Sequence, residues 1–330
     1  MSFFTALSSR FKNNLERKKK MKGFKKILGS ILLFMLAFTM MACGKTAEEK
    51  KSTDKQGVTY PLTIKDSYNR EVTLSKEPER IVSIAPSITE IVAALGKEDK
   101  LVGRTTFCTY PESIKKVETI GGLQDPNIEK IVELKPDVVI ASTHFKEDVL
   151  KKLEDLNIKV IVLYGEESFE GVYDTIDKVA TVLNAKDKGN EIVDGMKKKV
   201  EDVKKKVEGK DKKKTYYVVG YGKGGDFTSG GDTFIGQMIN MAGGENSAKD
   251  LKGWKYSLEK VVESNPDLMV VAEGMGAKEG LKQANGYKDL KAVKEDKIYE
   301  IDQNILNLQG PRLADGLYEL AKIIHPEAFK

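Results

Sequence analysis

The chain has 330 residues, enough for two ordinary domains with a sizeable core. Residues 1–42 hold nine basic side chains and one acidic side chain, whereas the rest has 46 basic and 49 acidic ones, so the net charge of +5 comes from the N-terminus. The body of the protein therefore has no overall attraction for nucleic acid, which we exclude as a partner.

The first 42 residues have the pattern of an export signal. A basic stretch, Lys18 to Lys26, precedes an apolar run of 16 residues, Ile27 to Ala42. This run is shorter than the roughly 20 residues that span a bilayer, and it suits a signal peptide. Met21 is a second candidate start, which would make residues 1–20 a mis-assigned upstream extension.

The apolar run ends in Met40-Met41-Ala42-Cys43-Gly44, which resembles the lipobox of bacterial lipoproteins. The resemblance implies cleavage before Cys43, lipidation of its thiol and attachment to the extracytoplasmic face of the cell membrane. An ordinary secretory signal with a chance cysteine is the alternative. Residues 43–57 are charged and predict a flexible tether.

Residues 58–165 are predicted to form an N-terminal lobe. A strand pair at 62–64 and 72–74 is followed by alternating strands and helices, a pattern typical of a parallel sheet covered by helices. The predicted strands are 80–84, 101–103, 137–141 and 159–163, and the predicted helices are 87–95, 128–134 and 149–156. The spacing of Ser87 and Glu90 predicts a capping box at the first of these helices.

Residues 166–210 are predicted to form a helical bridge, with a break near Asn184 and a long helix over 186–207 whose lysines form a solvated face. Residues 211–330 are predicted to form a C-terminal lobe of the same alternating kind. Its predicted elements are 215–220, 234–241, 258–263, 267–272, 287–293, 297–301 and a last helix over 312–324. The fold class is thus α/β, with two lobes of mainly parallel sheet joined by a single long helix.

An internal repeat supports this division. The segment Ile128–Ala141 aligns without a gap to Leu258–Val271, and each reads as a helix, a Pro-Asp corner and a buried strand. The alternative is that Pro-Asp corners recur by chance in α/β proteins. We interpret the repeat as one related unit in each lobe.

Several ordered motifs are similar to those of the substrate-binding proteins for cobalamin, haem and ferric siderophores. These motifs are Arg80–Glu90, Tyr110-Pro111, Gly121-Gly122, Asn127–Glu129, Lys135–Asp137, Phe227–Gly230 and Ala242–Asn246. The resemblance implies a rigid connecting helix and a ligand cleft between the lobes. It also implies delivery of a bulky metal chelate to an ABC permease and its ATPase, with neither enzymatic activity nor an intrinsic cofactor. Leu123 stands where cobalamin-binding relatives have tryptophan, which counts against cobalamin without excluding it, while ferric siderophore and haem stay open.

Open α/β sheets bind ligands beyond the carboxyl ends of their strands. The candidate ligand-binding residues in those loops are Pro86, Ser87, Phe107, Tyr110, Leu123, Gln124, His144, Tyr221, Phe227 and Met275. Trp254 joins them through the resemblance, and aromatic faces suit large, flat chelates. His144 is also a candidate axial metal ligand, the alternative being a solvated loop histidine. Arg312 would either bind an anionic group at the cleft mouth or cap its own helix.

Glu129 and Glu259 occupy matching places in the repeat. The resemblance implies that each pairs with arginines of the permease. The alternative is that each is merely an acid in the first turn of a helix, where the helix dipole favours it.

Two rival classes stay open. An enzyme is one, although Gly222–Phe227 lacks the third glycine of a dinucleotide loop and no phosphate-loop motif is present. A lipid-anchored sensor or adhesin ectodomain is the other. For the transport reading we expect a monomer with small lobe motion, because one long helix hinges less readily than paired loops.

Overall fold

The computed structural model describes residues 57–330. The predicted signal peptide, the predicted extension over residues 1–20, the predicted lipidation site Cys43 and nearly all of the predicted tether lie outside these residues. Among the described helices, none combines the length and the apolar character needed to cross a membrane.

The N-terminal lobe begins with the predicted strand pair. Strand β1 (Leu62–Lys65) and strand β2 (Glu71–Leu74) are antiparallel, with Leu62 opposite Leu74. The Asp66 carboxylate accepts hydrogen bonds from the backbone amides of Tyr68 and Arg70, which closes the turn between the strands.

A four-stranded sheet forms the centre of this lobe. Its strands are β3 (Ile81–Ile84), β4 (Leu101–Arg104), β5 (Val138–Ala141) and β6 (Val160–Val162), which lie in the order β4-β3-β5-β6. All pairs are parallel, as predicted. Successive side chains point to opposite faces, so Ile81 and Val82 belong to different hydrophobic clusters.

The helices of this lobe are α1 (Pro86–Ala94), α2 (Ile128–Glu133) and α3 (Glu147–Asp155). The predicted capping box at α1 is wrong. Ala85 is the N-cap without a side-chain hydrogen bond, and Pro86 occupies the first helical position. Proline suits that position because its φ is already helical and it has no N–H to satisfy. Glu90 therefore lies too deep in the helix to cap it, and its carboxylate binds Arg312 instead.

Helices α4 (Phe169–Val182) and α5 (Lys186–Val207) form the bridge. The predicted break is confirmed, since Asn184 has a φ of 50°. Twenty-two residues give α5 a length of about 33 Å. Its buried residues are Gly189, Met196, Val200, Val203 and Val207, so the lysines face solvent as predicted. Helix α5 packs on α4 and on the last helix of the chain.

The C-terminal lobe contains a six-stranded sheet. Its strands are β7 (Lys214–Gly220), β8 (Asp226–Thr228), β9 (Glu245–Asn246), β10 (Lys255–Tyr256), β11 (Leu268–Ala272) and β12 (Ile298–Ile301). The main order is β10-β8-β7-β11-β12, with β9 parallel to the start of β7. Strands β7, β11 and β12 are parallel, whereas β8 and β10 add an antiparallel edge.

The helices of the C-terminal lobe are α6 (Phe234–Met241), α7 (Leu258–Ser264), α8 (Ala277–Gln283), α9 (Lys291–Lys294), α10 (Asn304–Asn307) and α11 (Leu313–Ile324). One hydrophobic cluster includes Ile81 of the first sheet, Met196 of α5 and Leu317 of α11. The core is therefore continuous from lobe to lobe, and burial along α5 favours a fixed arrangement of the two.

Candidate functional site

The predicted site is built from the loops that follow parallel strands. In the N-terminal lobe, Pro86 and Ser87 follow β3, Phe107 and Tyr110 follow β4, and His144 follows β5. Carboxyl ends of parallel strands share one edge of a sheet, so these loops lie along the same edge.

The second sheet contributes loops of the same kind. Tyr221 follows β7, Met275 follows β11, and Asp302 follows β12. Phe227 lies opposite Gly220 at the end of β7, and Lys255 lies opposite Phe227. The Trp254 carbonyl accepts a hydrogen bond from the Thr228 amide at 2.8 Å, so Trp254 lies beside the same end of the sheet as Phe227 and Lys255.

An ion pair between the lobes brings the two edges together. The Arg312 guanidinium, at the N-cap of α11, donates from Nε and Nη2 to both carboxylate oxygens of Glu90 on α1, at 2.9 and 2.7 Å. Its Nη1 donates to Asp302 at 3.2 Å. Because α1 follows β3 and Asp302 follows β12, the ends of these strands lie on the same side of the lobe junction.

This pair is mostly removed from water. The side chains of Glu90 and Arg312 are 4% and 19% exposed. The hydrogen bond to Glu90 raises the pKa of the Arg312 guanidinium. The ring of Tyr110 lies 4.0 Å from the guanidinium carbon, a cation–π contact that fixes a predicted cleft residue against the ion pair. Each guanidinium nitrogen of Arg312 thus has a partner in the protein, and the side chain acts as a connection between the lobes.

Large apolar side chains are exposed at these strand ends. Met275 is 69% exposed and Phe107 is 59% exposed, and Tyr110 and Trp254 are also exposed. All four are among the candidate ligand-binding residues. Folding normally removes side chains of this size from water, so these strand ends are the candidate binding surface.

The remaining candidates are less exposed or more polar. Pro86, Ser87, Leu123, Tyr221 and Phe227 are half-buried, whereas Gln124 and His144 are exposed. The ring of Tyr221 contacts that of Tyr287 edge to face at 5.8 Å. A Cβ atom on Gly280 would overlap the Tyr221 hydroxyl, so glycine there makes room for this ring.

His144 has a backbone conformation that is uncommon among non-glycine residues. Its φ is +65°, in the left-handed region that non-glycine residues rarely occupy. The residue lies directly beyond the carboxyl end of β5. Such conformations are found at functional sites, and His144 thus combines an uncommon φ with a position at a strand end.

Val219 was missed by sequence reasoning. It is the penultimate residue of β7 and is exposed, whereas the four residues before it in the strand are buried. Its position near the carboxyl end of a strand could have identified it as a candidate. The apolar run of β7 concealed that signal because it suggested a strand buried along its whole length.

Cavities elsewhere do not coincide with these strand ends. One of about 470 Å³ lies between α4, α5 and α6, where Phe169, Tyr173 and Phe234 line it. Another, of about 600 Å³, lies beside the turn between β1 and β2. Neither includes a candidate ligand-binding residue. Within residues 57–330, no three His, Cys, Asp or Glu side chains are grouped so that they could hold a metal ion.

Two α/β lobes joined by a long helix, with exposed apolar side chains at facing strand ends, define a binding protein of the two-lobe class. Comparison with known proteins gives the family. Residues 81–305 match the periplasmic binding protein family, and the chain belongs to it.

Relatives extend this assignment. The chain is 38% identical over 314 residues to YvrC of Bacillus subtilis, an uncharacterized ABC transporter substrate-binding lipoprotein, covering 93% of this chain and 99% of that one. It is 26% identical to a cobalamin-binding protein of Halobacterium salinarum, and the match covers 90% of this chain and 84% of that one. A possible iron-binding, periplasmic solute-binding protein of Staphylococcus epidermidis has a similar structure, with a TM-score of 0.68 and 30% identity over 76% of this chain and all of that one.

Proposed function

We propose that this protein captures a bulky metal chelate between its lobes. It then delivers the chelate to an ABC permease, whose ATPase subunit drives import. The observation that carries the proposal is the set of exposed apolar side chains at the facing strand ends, Phe107 and Tyr110 on one lobe and Trp254 and Met275 on the other. Ligand pockets are mostly apolar, with a few polar groups that fix orientation. Ser87, Gln124 and His144 would supply such groups.

The size and chemistry of these side chains favour a large, partly apolar ligand. Rings on opposite lobes can cover both sides of a flat or globular chelate, whereas a small ion would leave them in water. The relatives fit this class, since one is a cobalamin-binding protein and another a possible iron-binding protein. Ferric siderophore, cobalamin and haem are the candidates, with the metal belonging to the substrate.

Arg312 has a different role in this proposal from that of an anion ligand. Its guanidinium already binds Glu90 and Asp302, so recruiting it to a ligand would break a shielded ion pair. We propose that Arg312 positions Tyr110 and holds the lobes at a fixed separation. The continuous core along α5 also holds the lobes together. Both features support small lobe motion on binding.

Export and attachment belong to the same proposal. YvrC is a lipoprotein, and its similarity covers nearly the whole of both chains. Lipidation at Cys43 would keep a monomer beside its permease at the extracytoplasmic face of the membrane. Exposed Glu129 and Glu259, one on each lobe, would present the loaded protein to the permease.

Fluorescence of the single tryptophan, Trp254, tests the ligand class. Cobalamin, haem and several ferric siderophores are titrated into the domain of residues 57–330, with free tryptophan correcting for light absorbed by the coloured ligands. We expect saturable quenching by one chelate. Thermal stability is measured in parallel on the Trp254→Phe variant, which should still be stabilised by that chelate, although less strongly. If no chelate quenches Trp254 and none raises the melting temperature of either protein, the proposed ligand class is wrong.

A further inference from the structure

The antiparallel edge of the C-terminal sheet, formed by β8, β10 and the adjoining Trp254, is short and irregular. Strand β8 has three residues and β10 has two, and the pairing of β8 with β7 shifts register between Val218 and Gly220. The hydrogen bond from the Thr228 amide to the Trp254 carbonyl extends the pairing by one residue. Strands this short share few backbone hydrogen bonds, so the position of the antiparallel edge depends on side-chain contacts as well.

One of these contacts joins Asp226, the first residue of β8, to a buried tyrosine. The Tyr287 hydroxyl donates a hydrogen bond to Oδ1 of Asp226 at 2.6 Å. Tyr287 is 1% exposed and belongs to the hydrophobic cluster that includes Val218 and Met269 of the same sheet. Burial and the hydrogen bond to Asp226 raise the pKa of Tyr287, so the phenol keeps the proton that it donates. A hydrogen bond to a carboxylate is stronger than one between neutral groups.

Phe227, a candidate cleft residue, directly follows Asp226 in β8. Successive side chains of a strand point to opposite faces, so Asp226 reaches Tyr287 while Phe227 points away from it. The Phe227 ring lies 3.4 and 3.3 Å from the places that Cβ atoms on Gly220 and Gly225 would take. Glycine at both positions lets the ring approach the backbone closely. The glycine-rich loop between β7 and β8 therefore forms the seat of the Phe227 ring.

Tyr287 also contacts a second cleft candidate. Its ring lies edge to face against that of Tyr221, with ring centres 5.8 Å apart. The backbone of Tyr287 is fixed just beyond α8, since its amide donates to the Ala284 carbonyl at 3.2 Å. One buried side chain thus connects the body of the C-terminal lobe with the loop after β7 and with the antiparallel edge.

We propose that Tyr287 is a positioning residue for the ligand cleft. By holding Asp226 and Tyr221, it sets the places of Phe227 and Trp254 on the C-terminal side of the cleft. This rests on the proposed function, in which those two rings contact the chelate. Tyr287 is itself too deeply buried to touch a ligand. Rings that are held in place before binding lose less conformational freedom when the ligand arrives, so a loosened edge should bind the chelate more weakly.

The Tyr287→Phe variant of the full chain, purified in detergent, tests the proposal because it removes the hydroxyl and keeps the ring. Tyr60→Phe is the matched control, since the Tyr60 hydroxyl also makes one hydrogen bond, to the Val182 carbonyl at 2.9 Å, at the end of α4. Both variants should lower the melting temperature by about 2 °C. Only Tyr287→Phe should weaken binding of the chelate found in the Trp254 titration, by about fivefold.

Hydrogen exchange gives a readout that does not depend on the chelate. Amides of residues 226–231 are followed by mass spectrometry in the absence of ligand. We expect exchange in this segment to be about tenfold faster in Tyr287→Phe and unchanged in Tyr60→Phe.

Variants of the acceptor sharpen the test. Asp226→Asn keeps an oxygen that can accept from Tyr287, so its chelate affinity should stay within about twofold of the wild type. Asp226→Ala removes the acceptor and should weaken binding as much as Tyr287→Phe does. The double variant with Tyr287→Phe and Asp226→Ala should be no weaker than either single variant, because both changes remove the same contact.

The outcomes separate this inference from the proposed function. Wild-type chelate affinity in Tyr287→Phe and Asp226→Ala, or an equal loss of affinity in Tyr60→Phe, would overturn the positioning role and leave the transport function intact. A wild-type chain that binds none of the chelates would instead overturn the proposed function. Hydrogen exchange would then still decide whether Tyr287 holds the antiparallel edge, and unchanged exchange in Tyr287→Phe would overturn that as well.

Discussion

The two lobes are alike on the outside and different on the inside. On the outside, α2 and α7 have matching caps, matching exposed residues and matching Pro-Asp corners. On the inside, the N-terminal lobe has a purely parallel sheet, whereas the C-terminal lobe adds the antiparallel strands β8 and β10, which carry Phe227 and adjoin Trp254.

We relate this difference to the two kinds of recognition in the proposed function, that of the chelate and that of the permease. A chelate is an asymmetric object, so the two halves of its cleft gain from having different side chains. A partner with two equivalent surfaces is best met by two equal sites. The contacts between the lobes fix the relative positions of the cleft side chains and of the outer helices α2 and α7 at the same time.

The largest effect on stability is expected from the ion pair that joins the lobes. The Arg312→Met change leaves the Glu90 carboxylate buried without its partner, which should lower the free energy of unfolding by about 3 kcal/mol. Urea unfolding measures this change. The matched control on the same helix is Lys322→Met, which removes an exposed pair with Glu319 and should cost less than about 0.5 kcal/mol. Equal costs for the two variants would mean that the lobes are not held by this contact.

The next effect concerns Glu77, which lies between the N-terminal lobe and the corner of the bridge. Burial alone would raise the pKa of Glu77, but hydrogen bonds from Lys100, Asn184 and Lys97 lower it from 4.5 to about 2. The stability this group contributes is therefore fully present above about pH 4.5 and is lost as the pH falls toward 2.

The Glu77→Gln variant should be about 2 kcal/mol less stable than the wild type at neutral pH, allowing for partial exposure. The gap should shrink by more than half at pH 3, since the unfolded carboxyl is then largely protonated. Unfolding curves at both pH values measure this, with exposed Glu112→Gln as the control. A gap that stays the same at pH 3 would contradict the assigned role of the Glu77 charge.

A smaller effect tests whether the Pro-Asp corners of the two repeated segments, Ile128–Ala141 and Leu258–Val271, are equivalent. The Asp137 carboxylate accepts from the Glu79 and Arg80 amides at 2.9 and 3.0 Å, and that of Asp267 accepts from the Lys214 amide at 2.9 Å. Burial raises the pKa of both carboxyl groups, but the hydrogen bonds they accept and the neighbouring lysines lower it by more. The pKa of each group is therefore below its usual value. Asp137→Asn and Asp267→Asn should each cost about 1 kcal/mol at neutral pH, by chemical denaturation. Costs that differ by more than about 1 kcal/mol would show that the two corners are not equivalent.

The smallest effect on stability is expected in the cleft. Phe107→Ser and Met275→Ser remove side chains that are already in water, so each should change the free energy of unfolding by less than about 0.5 kcal/mol. Each should nevertheless weaken chelate binding about tenfold, as seen by calorimetry. A large loss of stability with unchanged affinity would mean that these side chains support the fold and not the ligand.

Much of the fold could be predicted from the sequence because its signals are local. The bounds predicted for α5 and α6 agree with the structure, since each helix has a clear apolar period and defined ends. Strands β8 and β10 were missed because two or three residues among glycines show no period.

The site was harder to predict wherever it depends on distant contacts. The strand-end rule selected Phe107 and Met275, and both are exposed there. The partner of Arg312 lies 222 residues away in sequence, so no local pattern could identify Glu90, and the Ser87–Glu90 spacing favoured a capping box instead. The ligand-binding role of the cleft residues and the docking role of Glu129 and Glu259 stay predictions.

Anomalous diffraction from crystals grown with the chelate found in the titration tests the central claim most directly. Data are collected at the absorption edge of its metal, iron or cobalt, so that the metal is located independently of the protein phases. We expect one strong peak between the lobes, enclosed by Phe107, Tyr110, Trp254 and Met275. A peak elsewhere on the surface, or none at a chelate concentration that saturates the protein in solution, would contradict capture in the cleft.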